Sequence, residues 1–450
     1  VTAGDGGFLC SEGIGDQETQ ECLLTLISRG RRARGLGGSI GGIRGRALGR
    51  FLSEHPEADL LRDCRVLGKE QSNTSLLYGK ALFLKLFRKL EEGVQPDIEM
   101  VRFLSEKAGY GNVPSFVGAL EYRRRHRRPI FVGSAQEFLP NRGDGWGYAL
   151  SLVARYLDRV RSFQARRTPT PAACSPFDVA ETRRLSLPRA LVGRDALRMA
   201  SLLGTRTGEL HLALASDRRN PAFAPVPTTT AYQRSLVRRQ VAQAATTFRL
   251  LRGSQRTLPA GVKKEVRDAL RLGPECLARI RGIGSRRLAG VRIRCHGDYH
   301  LGQVLYTGND FMIIDFEGEP ARPLRGRREK HPPFRDAAGM MRSFHYAAYA
   351  GLLQQTARER TVVSLRPWAE AWYSAMAGSF LSAYLDRLAG SPLLPSDDAV
   401  TTLWLKTFFL EKALYEAAYE LNNRPAWLRI ALSGIQQAIA PDLVRTAQIH

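Results

Sequence analysis

In the early part of the chain the apolar positions fall in short blocks broken by turn residues; later they recur every three or four positions over long stretches. The blocks Cys64-Arg65-Val66-Leu67, Ser75-Leu76-Leu77-Tyr78 and Ala81 through Phe87 predict three strands with turns between them. Ahead of them, Thr19 to Arg29 carries Cys22, Leu23, Leu26 and Ile27 at helical spacing. Residues 1 to about 18 are Gly-rich and acidic without a period, which predicts disorder. Pro96-Asp97-Ile98-Glu99 opens a helix through Phe103 and Leu104, and Phe131-Val132-Gly133 with Ala135 to Leu139 predicts a further strand and a hinge. The helical period then takes over, at Gly147 to Arg161, Ala196 to Ala215, Thr230 to Arg252, Gly261 to Leu272, Phe334 to Ala357, Trp368 to Leu388 and Thr402 to Leu421. Residues 166–176 and 220–229 read as loops. Within this helical part, Val304-Leu305-Tyr306 and Phe311-Met312-Ile313-Ile314 alternate with the turn Thr307-Gly308-Asn309-Asp310, which predicts a β-hairpin. The pattern is that of an α+β chain with a small β-rich lobe and a large helical lobe.

The hairpin changes the picture because of what flanks it. His296-Gly297-Asp298-Tyr299-His300-Leu301-Gly302-Gln303 precedes it, and Asp315-Phe316-Glu317-Gly318-Glu319 follows. Moving a γ-phosphoryl group needs one carboxylate to orient the acceptor hydroxyl and take its proton, and other oxygens to hold Mg²⁺ against the nucleotide phosphates. Asp298 suits the first task; Gln303 and Asp315 suit the second, because Mg²⁺ takes oxygen ligands. Either acid alone reads equally as a turn former or strand-end cap, but the pair across a hairpin is a stronger signal. Lys85 is the one charge in the apolar strand Ala81 to Phe87 and must snorkel or find a partner, for which Glu99 in the early part of the next helix is the candidate. That pairing is how kinases hold the α- and β-phosphates; a solvated first-turn acid is the other reading of Glu99. Gln71-Ser72-Asn73-Thr74-Ser75 offers short polar side chains either as donors to nucleotide phosphates or as a plain Asx or Ser turn. The cluster Gly35-Leu36-Gly37-Gly38-Ser39-Ile40-Gly41-Gly42 fits neither phosphate-loop pattern and reads as turns between short strands.

Composition narrows the class. An apolar fraction of 44% and a charged fraction of 24% over 450 residues are those of a globular protein. No run of eighteen apolar residues and no signal segment is present in the sequence, so no membrane partner and a cytoplasmic location are expected. The formal charge of +24 would suggest nucleic acid, but the basic clusters at 29–32, 123–128 and 325–328 are dispersed and lack interleaved aromatics, so no nucleic-acid partner is expected. A basic surface still attracts ATP. Six scattered cysteines without a Cys-x-x-Cys pair argue against zinc and a disulfide framework. Cys295 reads as a small buried residue or a reactive thiol.

The run Arg294 to Leu305, then Ile313 to Pro320, then Arg335-Asp336-Ala337-Ala338-Gly339-Met340-Met341-Arg342-Ser343-Phe344 resembles the bacterial maltokinases, including the form fused to trehalose synthase. The likeness extends to Glu70 to Ser75, Leu84 to Arg88, Pro96 to Glu99, and Lys412 to Glu416 through Glu420 to Pro425. It implies ATP-dependent phosphorylation of the anomeric hydroxyl of maltose, giving maltose 1-phosphate for α-glucan synthesis. It also implies a fold similar to aminoglycoside phosphotransferases and eukaryotic-type kinases. In that likeness residues 1–60 would hold a disordered start and an N-terminal cap subdomain, 61–142 the N-lobe, and 143–450 the helical C-lobe. Asp298 would be the base, Gln303 and Asp315 the Mg²⁺ ligands, and Lys85 with Glu99 and the polar Ser72, Asn73, Thr74 and Ser75 the ATP site. The sugar would be met by His300, Asp336, Arg342, Lys412, Tyr415 and Tyr419; the last three share a helical face by spacing, a pattern that core packing and solvated pairs also explain. Gly326 departs from the family pattern, where an acid is common. The first residue is valine, which leaves a standalone chain and a piece of a longer fusion both open, and the resemblance implies a trehalose synthase, fused or associated, as partner. Another small-molecule kinase, of the aminoglycoside or choline type, is the runner-up, and a non-catalytic basic scaffold the reading from a different class.

Overall fold

The computed structural model describes residues 13–35, 37–68, 73–164, 171, 175–178, 186–286, 288–355 and 359–440. The chain forms two compact units: one up to Asn141 together with Met312–Arg328, the other Arg142–Phe311 with Glu329 onward. Residues 312–328, expected in the helical lobe, thus belong to the sheet-bearing unit.

The first unit opens with a short 3-10 turn at Gly13–Gly15 and helix α1 (Gln17–Ser28), started where the Asp16 carboxylate accepts the Thr19 amide at 3.0 Å. The expected disorder up to residue 18 is therefore too long; residues 1–12 lie outside the described set. Then come β1 (Arg32–Gly35), β2 (Gly38–Arg44), helices α2 (Leu48–Glu54) and α3 (Glu57–Arg62), β3 (Cys64–Leu67), β4 (Asn73–Tyr78), β5 (Leu82–Phe87), α4 (Pro96–Glu106), β6 (Phe116–Arg123) and β7 (Ile130–Glu137). All seven strands join one antiparallel sheet in the order β1-β2-β6-β7-β5-β4-β3, over a core that includes Leu26, Ile27, Phe51, Leu76, Leu84, Val117 and Leu120. Of the glycine cluster, Gly35 ends β1 and Gly38 to Gly42 lie in β2, and the two strands pair as the composition suggested; Leu36 lies outside the described residues. Strand β6 was missed because it runs through the middle of the sheet and is buried from Phe116 to Glu121, and a strand buried on both faces loses its period-two alternation.

The second unit is helical: α5 (Gly145–Gln164), α6 (Ser186–Val192), α7 (Arg194–Leu214), then after the short strand β8 (Val226–Pro227) α8 (Thr230–Ser254), α9 (Ala260–Arg271) and α10 (Gly273–Gly284). Short strand β9 (Val291–Arg292) pairs with β8, and β10 (Val304–Tyr306) with β11 (Phe311–Ile313) makes the expected hairpin. A four-residue helix α11 (Leu324–Arg327) lies in the segment of the first unit, followed by α12 (Phe334–Gln355), α13 (Glu359–Leu388), α14 (Asp398–Asn423) and α15 (Leu428–Ile439). Helix α12 is buried without a break from Asp336 to Leu352, so it is the central helix of its unit rather than a surface one. Among the described residues no helix is long and apolar enough to cross a membrane.

Candidate active site

Strand β5 carries Lys85 into the interior of the first unit, where only 8% of its side chain is exposed. An ammonium there requires carboxylates, and the structure supplies them: Nζ lies 2.5 Å from Asp315 Oδ1 and 2.6 Å from Glu317 Oε1. Burial alone would depress the lysine's pKa, but Asp315, Asp97 and Glu317 outweigh it and hold the ammonium well above the ordinary lysine range. Asp97, in the first turn of α4, is almost fully buried; it accepts the Phe316 amide at 3.0 Å and the Gln136 amide nitrogen at 3.1 Å. Burial, opposed by Lys85 and reinforced by Asp315 and Glu317, pushes its carboxyl up to about 6. Asp315 itself sits at φ +64°, a left-handed conformation that aspartate tolerates better than most residues and that turns the chain sharply after β11.

This arrangement corrects the expected Lys85–Glu99 pair. Glu99 is engaged instead by the Arg328 guanidinium through two bonds of 2.6 and 3.0 Å. The reason is helical phase. Asp97, Val101 and Leu104 share the buried face at i, i+4, i+7 spacing, whereas Glu99 lies on another side of the helix. The apolar positions at 101 and 104 were the available signal for Asp97. The polar segment before β5 also differs from expectation. Asn73, Thr74 and Ser75 are buried residues of strand β4, not a loop. Asn73 Nδ2 donates to Glu317 Oε1 at 2.7 Å, Thr74 accepts from Arg88 Nε at 3.0 Å, and the buried Ser75 hydroxyl, opposite Lys85 in the strand register, has no hydrogen-bond partner among the described residues. Ser72 lies outside the described residues.

In the second unit the loop bearing Asp298 is held from below by one face of α12. Asp336 accepts the backbone amides of His296 at 2.7 Å and Gly297 at 3.0 Å; Ser343 Oγ accepts the Leu301 amide at 3.0 Å. Between them is Gly339, where a Cβ would come within 2.7 Å of the Tyr299 carbonyl oxygen, so only glycine lets the loop backbone settle on the helix. The residues 336, 339 and 343 recur at helical spacing, and together they fix the loop's backbone. Asp336, expected at the sugar, is 2% exposed and acts on the loop instead. Burial raises its pKa, but His211, within hydrogen-bond reach at 3.2 Å, and the loop amides prevail and hold it below the ordinary aspartate range.

Above this base Asp298 projects with its carboxylate partly exposed, and Lys412 of α14 lies 3.0 Å from Oδ1. His300 Nε2 is 3.9 Å from Oδ2; because its Nδ1 accepts the Gly302 amide at 3.1 Å, the neutral ring carries its proton on the nitrogen that faces Asp298. Burial raises the Asp298 pKa, but Lys412 and then His300 overcome it and keep it below the ordinary range. A carboxylate so held is ionised and reachable, the state in which it takes a proton from a hydroxyl. Tyr415 continues the helix face, with Lys412 Nζ 5.2 Å from its ring centre and Tyr419 stacked beyond at 6.4 Å. Tyr419 is 46% exposed and has Arg424 against its ring. Arg342 departs from expectation: fully buried, it spends its donors on Glu416 at 2.7 and 2.8 Å, His345 Nδ1 at 2.7 Å and the Ile430 carbonyl at 3.3 Å, which makes it part of the α12–α14–α15 core. Gln303 ends the short 3-10 turn Leu301–Gln303 and leads directly into β10. Cys295 is buried against the carbonyls of Ile293, His331 and Pro332, and burial pushes its thiol well above the reactive range, so the inert reading holds.

The donor set fits Mg²⁺ and a nucleotide. Around Lys85 stand Asp97, Asp315 and Glu317, an excess of carboxylate over ammonium that suits a site receiving a divalent cation. Among the described residues no cluster of three or more His, Cys, Asp or Glu that would hold a metal by itself is found.

No family model matches the chain. The glucosamine kinase of Mycolicibacterium smegmatis is 27% identical over 368 residues, covering 81% of this chain and 77% of that protein. The glucosamine kinase of Streptacidiphilus jiangxiensis is 23% identical over 368 residues, with 80% and 70% covered. Among solved structures, a glucosamine kinase in complex with glucosamine, ADP and inorganic phosphate superposes with a TM-score of 0.60 at 21% identity, covering 90% of this chain and 94% of that one. A glucosamine kinase in crystal form A gives 0.60 at 20% identity, with 92% and 91% covered. The fold is thus kinase-like, with a β-sheet N-lobe and a large helical C-lobe. The chain is similar to kinases over four fifths of its length, a likeness that supports ATP with Mg²⁺ as cofactors. The likeness to maltokinases drawn from the motifs is met at this coarser level.

Proposed function

We propose that the chain is a sugar kinase that moves the γ-phosphoryl group of ATP to a sugar hydroxyl. The observation that carries the reading is Asp298: a carboxylate on a loop clamped by a buried helix, kept ionised by Lys412 at 3.0 Å, and still open to a substrate. In the proposed reaction Asp298 accepts the hydroxyl proton as the sugar oxygen bonds to the γ-phosphorus and the bond to the β-bridging oxygen breaks, releasing ADP. Lys85 would hold the α- and β-phosphates, and Asp315 and Gln303 would be the protein ligands of Mg²⁺, which neutralises the phosphate charge when bound. Lys412, His300 and the Tyr415–Tyr419 face would meet the sugar. Ser72 and Asn73 to Ser75 would border the nucleotide, and Asp336 would serve the sugar only by setting the Asp298 loop.

Glucosamine is the acceptor we put first, because glucosamine kinases match across four fifths of the chain. Maltose, phosphorylated at its anomeric hydroxyl and supplied by a fused or associated trehalose synthase in the cytoplasm, is the second reading, favoured by the motif run Arg294 to Leu305 and the α14 segment Lys412 to Glu416. ADP release measured with ATP, Mg²⁺ and a panel of glucosamine, maltose, an aminoglycoside and choline decides between them. Turnover on one of the two sugars fixes the acceptor; turnover confined to the aminoglycoside or choline removes the sugar reading.

A further inference from the structure

Helix α7 lies about ninety residues before the Asp298 loop in sequence and takes no part in the chemistry proposed above, yet three of its residues hold that region. The Arg206 guanidinium grips the hairpin-turn residue Asp310 with two bonds, Nε to Oδ1 at 2.9 Å and Nη2 to Oδ2 at 2.7 Å. Asp310 Oδ1 also accepts the Phe311 amide at 2.7 Å, so the arginine is tied through one carboxylate to the first residue of β11. The next residue, Thr207, gives its proton to the Leu203 carbonyl at 2.7 Å, and its oxygen therefore receives the Tyr299 hydroxyl at 2.9 Å, one residue after Asp298. One turn on, His211 reaches Asp336, the carboxylate that fixes the loop amides, at 3.2 Å, and is itself held by the Tyr384 hydroxyl at 3.0 Å.

The other side of α7 is locked to α13. A Cβ at Gly204 would stand 2.1 Å from the Phe380 carbonyl oxygen, so the two backbones touch there. Arg206 is further fixed by Glu209 at 2.8 Å, and Glu209 meets Arg387 of α13 at 3.6 Å. A rigid helix pair thus presents an arginine to the hairpin turn, a hydroxyl to the Asp298 loop, and a histidine to the loop's anchor.

We infer that α7 is a brace that sets the Asp298 loop and the following hairpin in one register, and that Arg206 is a positioning residue for phosphoryl transfer. Gln303 directly precedes β10, so a hairpin free to rock would misplace this group proposed for Mg²⁺. A planar, two-bond guanidinium–carboxylate grip fixes orientation where a single lysine contact would not. The inference rests on the kinase reading of Asp298 and Gln303.

The test uses Arg206→Met, Arg206→Lys, Asp310→Asn, the double variant Arg206→Met with Asp310→Asn, and Arg198→Met, an exposed arginine on the same helix, as control. A displacement of the order of an ångström at a reacting centre costs about a hundredfold at most, so the brace predicts a loss in kcat of about tenfold or more for Arg206→Met, with KM for the sugar changed less than about twofold. The Mg²⁺ concentration for half-maximal rate should rise by at least about threefold. Arg206→Lys should restore little of the loss, and the double variant should be no worse than the worse single one. Arg198→Met should match the parent. Amide exchange at residues 304–311 should quicken in Arg206→Met, a readout that does not depend on turnover. Unchanged kcat and Mg²⁺ dependence would overturn the inference, even if the thermal midpoint falls. If the parent enzyme phosphorylates no sugar, the sugar reading fails on its own, and unchanged exchange at the hairpin would then reject the brace separately.

Discussion

Replacing Lys85 by methionine keeps the apolar stem of the side chain and removes the ammonium that faces Asp315, Glu317 and the buried Asp97; Glu317 keeps the more distant Arg327 guanidinium at 4.0 Å. Breaking a buried ion pair by deleting one partner costs about 3–5 kcal/mol, because the charge left behind has lost its compensation. Two of the stranded carboxylates are well buried, but Asp315 keeps about a third of its side chain in solvent, so the lower end, about 3 kcal/mol, is expected for the first unit of the ligand-free protein. The loss should shrink as the pH falls toward 6, since Asp97, already pushed up to about 6, goes higher without Lys85 and takes a proton. Partnership is then read from double-variant cycles. With Glu317→Gln the combined loss should fall short of the sum by about 1–3 kcal/mol, because the two residues share one contact. With Glu99→Gln the losses should add within about 0.5 kcal/mol, since Glu99 is held by Arg328. Hydrogen exchange at the amides of β4 and β5 reports the opening of this unit without assuming that the whole chain unfolds in one step. A coupling of about 1 kcal/mol or more to Glu99, with none to Glu317, would refute the assignment of partners.

Other outcomes are expected in the same terms. Lys412→Met should raise the pH at which the acid limb of the rate profile falls off, because Lys412 is what holds Asp298 below the ordinary aspartate range; an unmoved limb would remove the ion pair from that role. Asp97 contributes in the opposite sense: its folded-state pKa of about 6 lies above the unfolded value, so its contribution to stability is full below about 4 and is lost as the pH rises through 6, and Asp97→Asn should flatten that slope in urea titrations. Gly339→Ala should lower stability by about 1–3 kcal/mol and cut kcat, since its Cβ would press on the Tyr299 carbonyl; a neutral result by calorimetry and kinetics would mean that the loop does not rest on α12.

Much of the architecture was legible from the pattern of the chain. The three strands from Cys64 to Phe87 and the hairpin after Gln303 lie within a residue or two of their expected places, because turn residues punctuate them. The long helices at 145–164, 194–214 and 230–254 follow their apolar stripes. What failed did so where tertiary burial erased local signals. β6 has no alternation to read, and α10 and α15 are short helices hidden among loops and apolar runs. Partner identity was the least legible layer. Lys85 was rightly read as needing a carboxylate, but choosing Asp97 over Glu99 required the helix phase, and Glu317 required knowing that residues 312–328 return to the first unit. Asp336 and Arg342 looked like substrate residues because polar groups in a site motif invite that reading; only their burial shows that one fixes a loop and the other ties helices together.

The most direct measurement of the central claim is transfer of label from γ-labelled ATP into glucosamine and maltose, run side by side with the parent protein and Asp298→Asn. The account predicts a phosphorylated sugar in the parent reaction, dependent on Mg²⁺, and almost none with Asp298→Asn, whose amide cannot take the hydroxyl proton although nucleotide binding persists. Label that never reaches a sugar, or an Asp298→Asn rate within about tenfold of the parent, would contradict it.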